Sequence, residues 1–155
     1  MDPVTIANEA TLIYDNITKN SNAVVTRILS LYDLTATKEA LLDSYTPGQT
    51  ITYITRVENT GSASLYNLTI VDDLANGTLQ YIDTSIEGYL NGSPIEIDVQ
   101  KTANTVTFKI DNVLNPNDNV LIIFETTTPT TNPEQITNTQ TITANGGSTT
   151  GPIVT

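Results

Sequence analysis

Polar and apolar residues alternate with a period of two along most of the chain. Ile51, Tyr53, Thr55 and Val57 interleave with Thr50, Thr52, Ile54, Arg56 and Glu58, which predicts a strand with one face on a core. Thr46-Pro47-Gly48-Gln49 forms the turn before it and Asn59-Thr60-Gly61 the turn after it. Proline presets a negative φ, and glycine takes the position where φ is positive. In the next run Tyr66, Leu68, Ile70 and Asp72 share one face, with Asn67, Thr69 and Val71 on the other. Asp72 therefore lies on the more apolar side, and an inward carboxylate needs a partner.

The same period appears elsewhere. Thr5 to Tyr14 reads as one strand with Ile6, Asn8, Ala10, Leu12 and Tyr14 on one side, Asp15 to Asn22 as a polar turn, and Ala23 to about Leu31 as a second strand. Leu34 and Ala36 share their face with Lys38. Short strands are expected over Thr78 to Asp83, over Ser85 to Leu90, and through Ile95, Ile97 and Val99, with Asn91-Gly92 as a hairpin signal. Val106, Phe108 and Ile110 mark another, and Val120, Ile122 and Phe124 one more. Pro129 to Pro133 is a connector, and Gln135 to Thr155 reads as two strands around Asn145-Gly146-Gly147. Ala40 to Ser44 is too short for an independent helix. Many short strands separated by Gly, Pro and Asn turns point to an all-β antiparallel sandwich.

The two ends resemble each other. Thr5 to Leu12 lies over Gln135 to Ile142, matching Asn8 with Asn138, and Val24-Val25-Thr26 lies over Ile153-Val154-Thr155 with a one-residue slip. Coincidence among Thr/Asn-rich strands is one explanation. The other is that the C-terminal hairpin completes the sandwich, leaving the N-terminal copy surplus and available to a neighbouring subunit by strand addition or exchange.

Composition narrows the chemistry. Seventeen acidic residues against six basic ones give a net charge of -11, which disfavours nucleic acid and anionic membrane as partners. With neither Cys nor His, thiolate chemistry, the usual zinc ligands and an imidazole base are excluded, leaving carboxylate, lysine or tyrosine chemistry. No apolar run reaches membrane-spanning length, and Met1-Asp2-Pro3 begins no signal peptide, so either a mature form or another export route is implied. Asp111, Asn112, Asn115, Asn117 and Asp118 lack the order of a calcium loop and read as a solvated turn. No metal or cofactor is expected. The Asn-x-Ser/Thr triplets at Asn16, Asn67, Asn76 and Asn91 are expected by chance, and the seven tyrosines read as packing before they read as a sugar platform.

The succession Lys38, Pro47-Gly48-Gln49, Tyr53, Asn59-Thr60-Gly61, Asn67-Leu68-Thr69-Ile70-Val71-Asp72-Asp73-Leu74 and Ile136-Thr137-Asn138 resembles the bacterial and archaeal surface repeat domain known as the eleventh domain of unknown function. The resemblance covers roughly Leu31 to Thr155 and departs at Ala75, where that family usually has proline. It implies an extracellular structural role in surface layers, stalks, spore coats or fibres, and suggests that Met1 to Arg27 is the tail of a preceding unit. The chain is also similar to Cna-type adhesin and pilin domains. That likeness implies an immunoglobulin-like, Cna/prealbumin-like sandwich and an internal isopeptide bond among lysine, aspartate and asparagine.

Lys38, Asp72 and Asn138 fall on the apolar faces of three different strands, which meet in a sandwich. Buried charges must pair or become neutral. A neutral Lys38 amine beside a protonated Asp72 could attack the Asn138 carboxamide, with Asp72 polarising the carbonyl and passing a proton so that ammonia leaves, and Asn8 of another chain could replace Asn138. The alternative is a semi-exposed Lys38–Asp72 ion pair with Asn138 capping a sheet edge.

The sequence thus leads to residues 1–29 as a docking extension and 30–155 as the sandwich. The expected protein is a non-enzymatic fibre, appendage or coat subunit, extracellular or at a cell or spore surface. It self-assembles through Ile6, Asn8, Ala10, Leu12 and Tyr14, with other surface proteins as further partners. An adhesin or carbohydrate-binding module is the alternative.

Overall fold

The structure, a computed structural model, describes residues 4–28, 32–131, 135–144 and 147–150; at 4–6, 14, 24–28 and 147–150 it describes the backbone alone. The chain divides into two compact units, Met1–Leu31 and Tyr32–Thr155.

In the first unit β1 (Val4–Asn8) pairs antiparallel with β4 (Val24–Ile28), and β2 (Thr11–Tyr14) with β3 (Ile17–Asn20). The single strand expected from Thr5 to Tyr14 is interrupted at Glu9 and Ala10. There Ala10 exchanges bonds with Ser21, its N–H donating to Ser21 Oγ (3.0 Å) and its carbonyl accepting from Ser21 N–H (2.8 Å). The stretch expected to be only a turn, Asp15 to Asn22, contains β3. Asp15 and Asn16 take φ of 46° and 61°, the two-residue turn whose twist matches paired strands. Leu12, Ile13 and Ile17 are 66%, 71% and 58% exposed, so this hairpin carries exposed apolar side chains.

The second unit is an all-β antiparallel sandwich. One sheet runs β10 (Ser93–Ile95), β9 (Glu87–Leu90), β13 (Asn119–Thr127), β6 (Thr50–Asn59), β5 (Leu34–Ala40), with β8 (Gln80–Tyr81) also on β13. The other runs β11 (Asp98–Lys101), β12 (Val106–Ile110), β7 (Leu68–Asp72), β14 (Gln140–Ala144), β15 (Gly147–Thr150). The inward faces supply a continuous core in which Ile70, Phe108, Ile122, Phe124 and Ile142 are fully buried. Each such side chain contributes roughly 1.5–3 kcal/mol by burial. Phe108 of one sheet meets Phe124 of the other at 5.0 Å between ring centroids, and Tyr53 stacks on Phe124 at 5.4 Å.

The Pro-Gly turn forms as expected, with Gly48 at φ 77° and Gln49 N–H bonded to Thr46 O at 3.0 Å. Asn59 is fully buried and satisfied. Its Nδ2 donates to the Ala63 and Leu114 carbonyls (2.9 and 2.8 Å), and its Oδ1 accepts from Gly61 N–H (3.0 Å). The strand expected to include Tyr66 starts instead at Leu68. Asn67 at φ 54° breaks the alternation, and Tyr66 is 45% exposed. Beyond Asn91-Gly92 the returning run splits, β10 pairing with β9 while β11 joins the opposite sheet. The C-terminal turn Asn145-Gly146, Pro133 and Ile153-Val154-Thr155 lie outside the described residues.

Candidate functional site

β5 and β6 place Lys38 directly opposite Thr55 on one sheet, while β7 and β14 place Asp72 directly opposite Gln140 on the other. Between the sheets, Lys38 Nζ lies 2.6 Å from Asp72 Oδ2, and neither side chain has any exposure. Alongside, Thr55 Oγ1 donates to Gln140 Oε1 at 2.9 Å. Asn138 lies on the same strand face as Gln140, two residues earlier, and is fully buried. The three residues expected to hold the chemistry are thus all interior, and the expectation of a semi-exposed pair is corrected by the zero exposure of both partners.

Asp72 is fixed at both oxygens, since Oδ1 accepts from Leu74 N–H at 3.2 Å. The following turn, Leu74–Gly77, keeps φ positive at all four residues, from 50° to 81°. Asp73 Oδ1 caps it by accepting from Ala75 N–H at 2.7 Å, while Asp73 Oδ2 accepts from Thr139 Oγ1 at 2.9 Å. Left-handed backbone is costly for L-residues other than glycine, so these two aspartates hold a strained turn against the strand that carries Asn138. Proline, with φ near -65°, cannot occupy position 75 here.

Burial pulls the Lys38 ammonium below the ordinary lysine range, outweighing Asp72, whose charge and hydrogen bond act to raise it. Its amine is biased toward the neutral, nucleophilic form. Lys38 Nζ also sits 4.7 Å above the centre of the Tyr53 ring. Burial pushes the Tyr53 phenol up, although the neighbouring Asn138 and Thr126 side chains pull the other way. Both polar atoms of the Asn138 amide, Thr126 Oγ1 and Gln140 Nε2 have no partner. An orphaned buried polar group costs about 1–3 kcal/mol, so this concentration of them is a site under tension.

Tyr53, Thr55, Thr126 and Gln140 belong to this layer although the sequence reading did not assign them to it. Their signal was a polar or hydroxyl group inside an otherwise apolar period-two register. The expected assembly residues are placed differently: Asn8, Ala10 and Leu12 are exposed, and the side chains of Ile6 and Tyr14 lie outside those described. Asn8 ends β1 opposite Val24. No group of acidic residues able to hold a metal ion occurs among the described residues.

No family model, that of the surface repeat included, and no curated protein matches this sequence. Solved structures do match. The major pilin subunit of Bacillus cereus aligns with TM-score 0.61 at 12% identity, over 95% of this chain and 47% of that one. The pilus backbone of Streptococcus pneumoniae aligns with TM-score 0.58 at 13% identity, over 72% of this chain and 31% of that one. The chain has the sandwich fold of pilin and adhesin domains. The N-terminal domain of a Streptococcus gordonii adhesin gives TM-score 0.63 at 18% identity, over 88% of this chain and 36% of that one. The chain therefore spans about a third to a half of the length of these structures.

Proposed function

We propose that this chain is a structural subunit of an extracellular or surface fibre, appendage or coat. In this reading β5 and the segment leading into β14 are joined by a Lys38–Asn138 isopeptide bond. The observation that carries the reading is the unpartnered Asn138 amide buried in the same layer as the Lys38–Asp72 pair. Lys38 passes a proton to Asp72, and its neutral amine attacks Cγ of Asn138. The Nζ–Cγ bond forms, the Cγ–Nδ2 bond breaks after Nδ2 is protonated, and ammonia leaves, taking the remaining proton from Asp72 as ammonium. The product ties β5 to the strand leading into β14, so a pull on the chain ends cannot peel the sheets apart.

Assembly is assigned to the N-terminal hairpin. A two-stranded hairpin is marginal in water by itself, and this one exposes Leu12, Ile13 and Ile17. A neighbouring subunit can cover that surface by strand addition or exchange, with Asn8 then available to a second chain's lysine. Removing residues 1–31 tests this. The full chain is expected to form filaments or ladders in negative stain and detergent gels, and the truncated one to remain a folded monomer. Polymers of the truncated protein overturn the hairpin as the joint. The likeness to an adhesin domain favours a second reading, a surface binding module, which binding of monomer to glycan or matrix-protein arrays would support.

A further inference from the structure

We propose that Asp73 is the positioning residue of the cross-link, clamping the segment that carries Asn138 to the turn that orients Asp72, so that amide and proton carrier meet Lys38 as one rigid unit. This rests on the isopeptide reading and assigns a further residue within it. The Asn138 amide does not position itself: it is fully buried, and neither Oδ1 nor Nδ2 has a partner. Its place must therefore come from the chain around it. Ile136 before it is buried in the core, and Gln140 after it pairs with Asp72 and accepts from Thr55 Oγ1 at 2.9 Å. Thr139, bonded directly to Asn138, is held by Asp73.

Asp73 makes this hold twice. Its N–H donates to Thr139 O at 3.0 Å, and its Oδ2 accepts from Thr139 Oγ1 at 2.9 Å. At the same time its Oδ1 accepts from Ala75 N–H at 2.7 Å and its carbonyl from Asn76 N–H at 3.2 Å. The same turn supplies Leu74 N–H to Asp72 Oδ1 at 3.2 Å, leaving Oδ2 for Lys38 Nζ at 2.6 Å. One residue thus joins the carboxyl that moves the proton to the peptide next to the amide under attack. Asp73 and Thr139 are both half-buried, where a charge-assisted bond meets less competition from water than at the surface. The consequence is kinetic. Attack of Nζ on Cγ of Asn138 needs the two atoms close and aligned, and a displacement of about 1 Å costs on the order of a hundredfold in rate. Asp73 takes no part in bond making: Cγ–Nδ2 is exchanged for Cγ–Nζ, ammonia leaves, and Asp73 keeps its charge and its bonds. That charge works against the reaction, since it favours the Lys38 ammonium. A role through charge alone and a role through position therefore have opposite signs.

The test follows bond formation in the full chain made by cell-free synthesis, quenched in acid at intervals and weighed intact, with Asn138→Ala as the zero. Asp73→Ala removes both side-chain bonds and is expected to slow cross-linking on the order of a hundredfold. Asp73→Asn removes the charge, yet its Oδ1 can accept from Ala75 N–H while its Nδ2 donates to Thr139 Oγ1. It is expected to cross-link at the wild-type rate or faster. Trimethylamine N-oxide, which restores a fold that is merely destabilised, is expected to leave the Asp73→Ala rate unchanged. Should Asp73→Ala fail to fold, Thr139→Val keeps the branched shape and loses only the hydroxyl, and a slowing on the order of tenfold is expected. Asp73→Ala or a substituting Thr139→Val as fast as wild type overturns the role of Asp73. So does Asp73→Asn as slow as Asp73→Ala, or recovery of the Asp73→Ala rate in the osmolyte. A wild type of full sequence mass overturns the bond itself, a distinct result.

Discussion

Asn138→Leu is the substitution whose sign separates a covalent site from a purely ionic one. Leucine keeps the approximate volume and removes two buried polar atoms that have no partners. If Lys38 and Asp72 were only an ion pair, this change would stabilise the fold by about 1–3 kcal/mol, the cost of an orphaned group. With the bond in place the change also releases a loop of about 100 residues, whose closure constrains the unfolded chain by about 4.7 kcal/mol. In the cross-linked parent Nδ2 has already left, so only the carbonyl oxygen, about 1–3 kcal/mol, offsets this. The net expectation is a loss of about 2–4 kcal/mol, or a fall in melting temperature of about 4–16 °C for a chain of this length. Urea titration read by circular dichroism checks it, and the m-value should rise, because an uncrosslinked chain exposes more surface when unfolded. An Asn138→Leu variant as stable as the parent, or more so, refutes the covalent reading.

Stability against pH gives a second check. In Asn138→Leu the Lys38 amine is free and its folded pKa is lowered by burial. The unfolded chain then binds more protons between that lowered value and 10.5, and stability rises with pH across the window. The cross-linked parent should lack this slope, since an amide nitrogen does not titrate. Above 10.0 the raised Tyr53 phenol works in reverse: the unfolded group ionises first and stability falls. Gly77→Ala should cost about 1–2 kcal/mol of stability, read as a lower urea midpoint, because φ there is 81° and a Cβ would sit 2.6 Å from Asn104 Oδ1. Association of full-length chains, followed by light scattering, should strengthen with added salt, which screens the repulsion between copies carrying a charge of -11; salt-weakened association would point to a polar joint.

What was legible in the sequence was whatever depends on one strand and its turns. β6, β12 and β13 read directly, because Tyr53, Phe108 and Phe124 sit in unbroken alternation, and Asn91-Gly92 announced its hairpin. The inward placement of Lys38 and Asp72 followed from the same rule. Failures came where single residues with positive φ reset the register, at Asn67 before β7 and at Asp15-Asn16 before β3. The left-handed turn at Leu74–Gly77 could not be anticipated, since three L-residues there adopt a conformation their own preferences disfavour. It is held by the Asp72 and Asp73 side chains, a tertiary cause. The shared layer of Thr55, Gln140, Thr126 and Tyr53 was also hidden, because facing pairs across a sandwich depend on registers set by strands as distant as β6 and β14.

The central claim is that the interior of this sandwich ties β5 to the segment leading into β14 through Lys38 and Asn138. Intact mass spectrometry of the purified chain, followed by peptide sequencing after digestion, addresses it most directly. The account predicts a protein lighter than its sequence by one ammonia, together with a branched peptide joining Lys38 to Asn138. A mass equal to the full sequence, with the Lys38 and Asn138 peptides recovered separately, contradicts it.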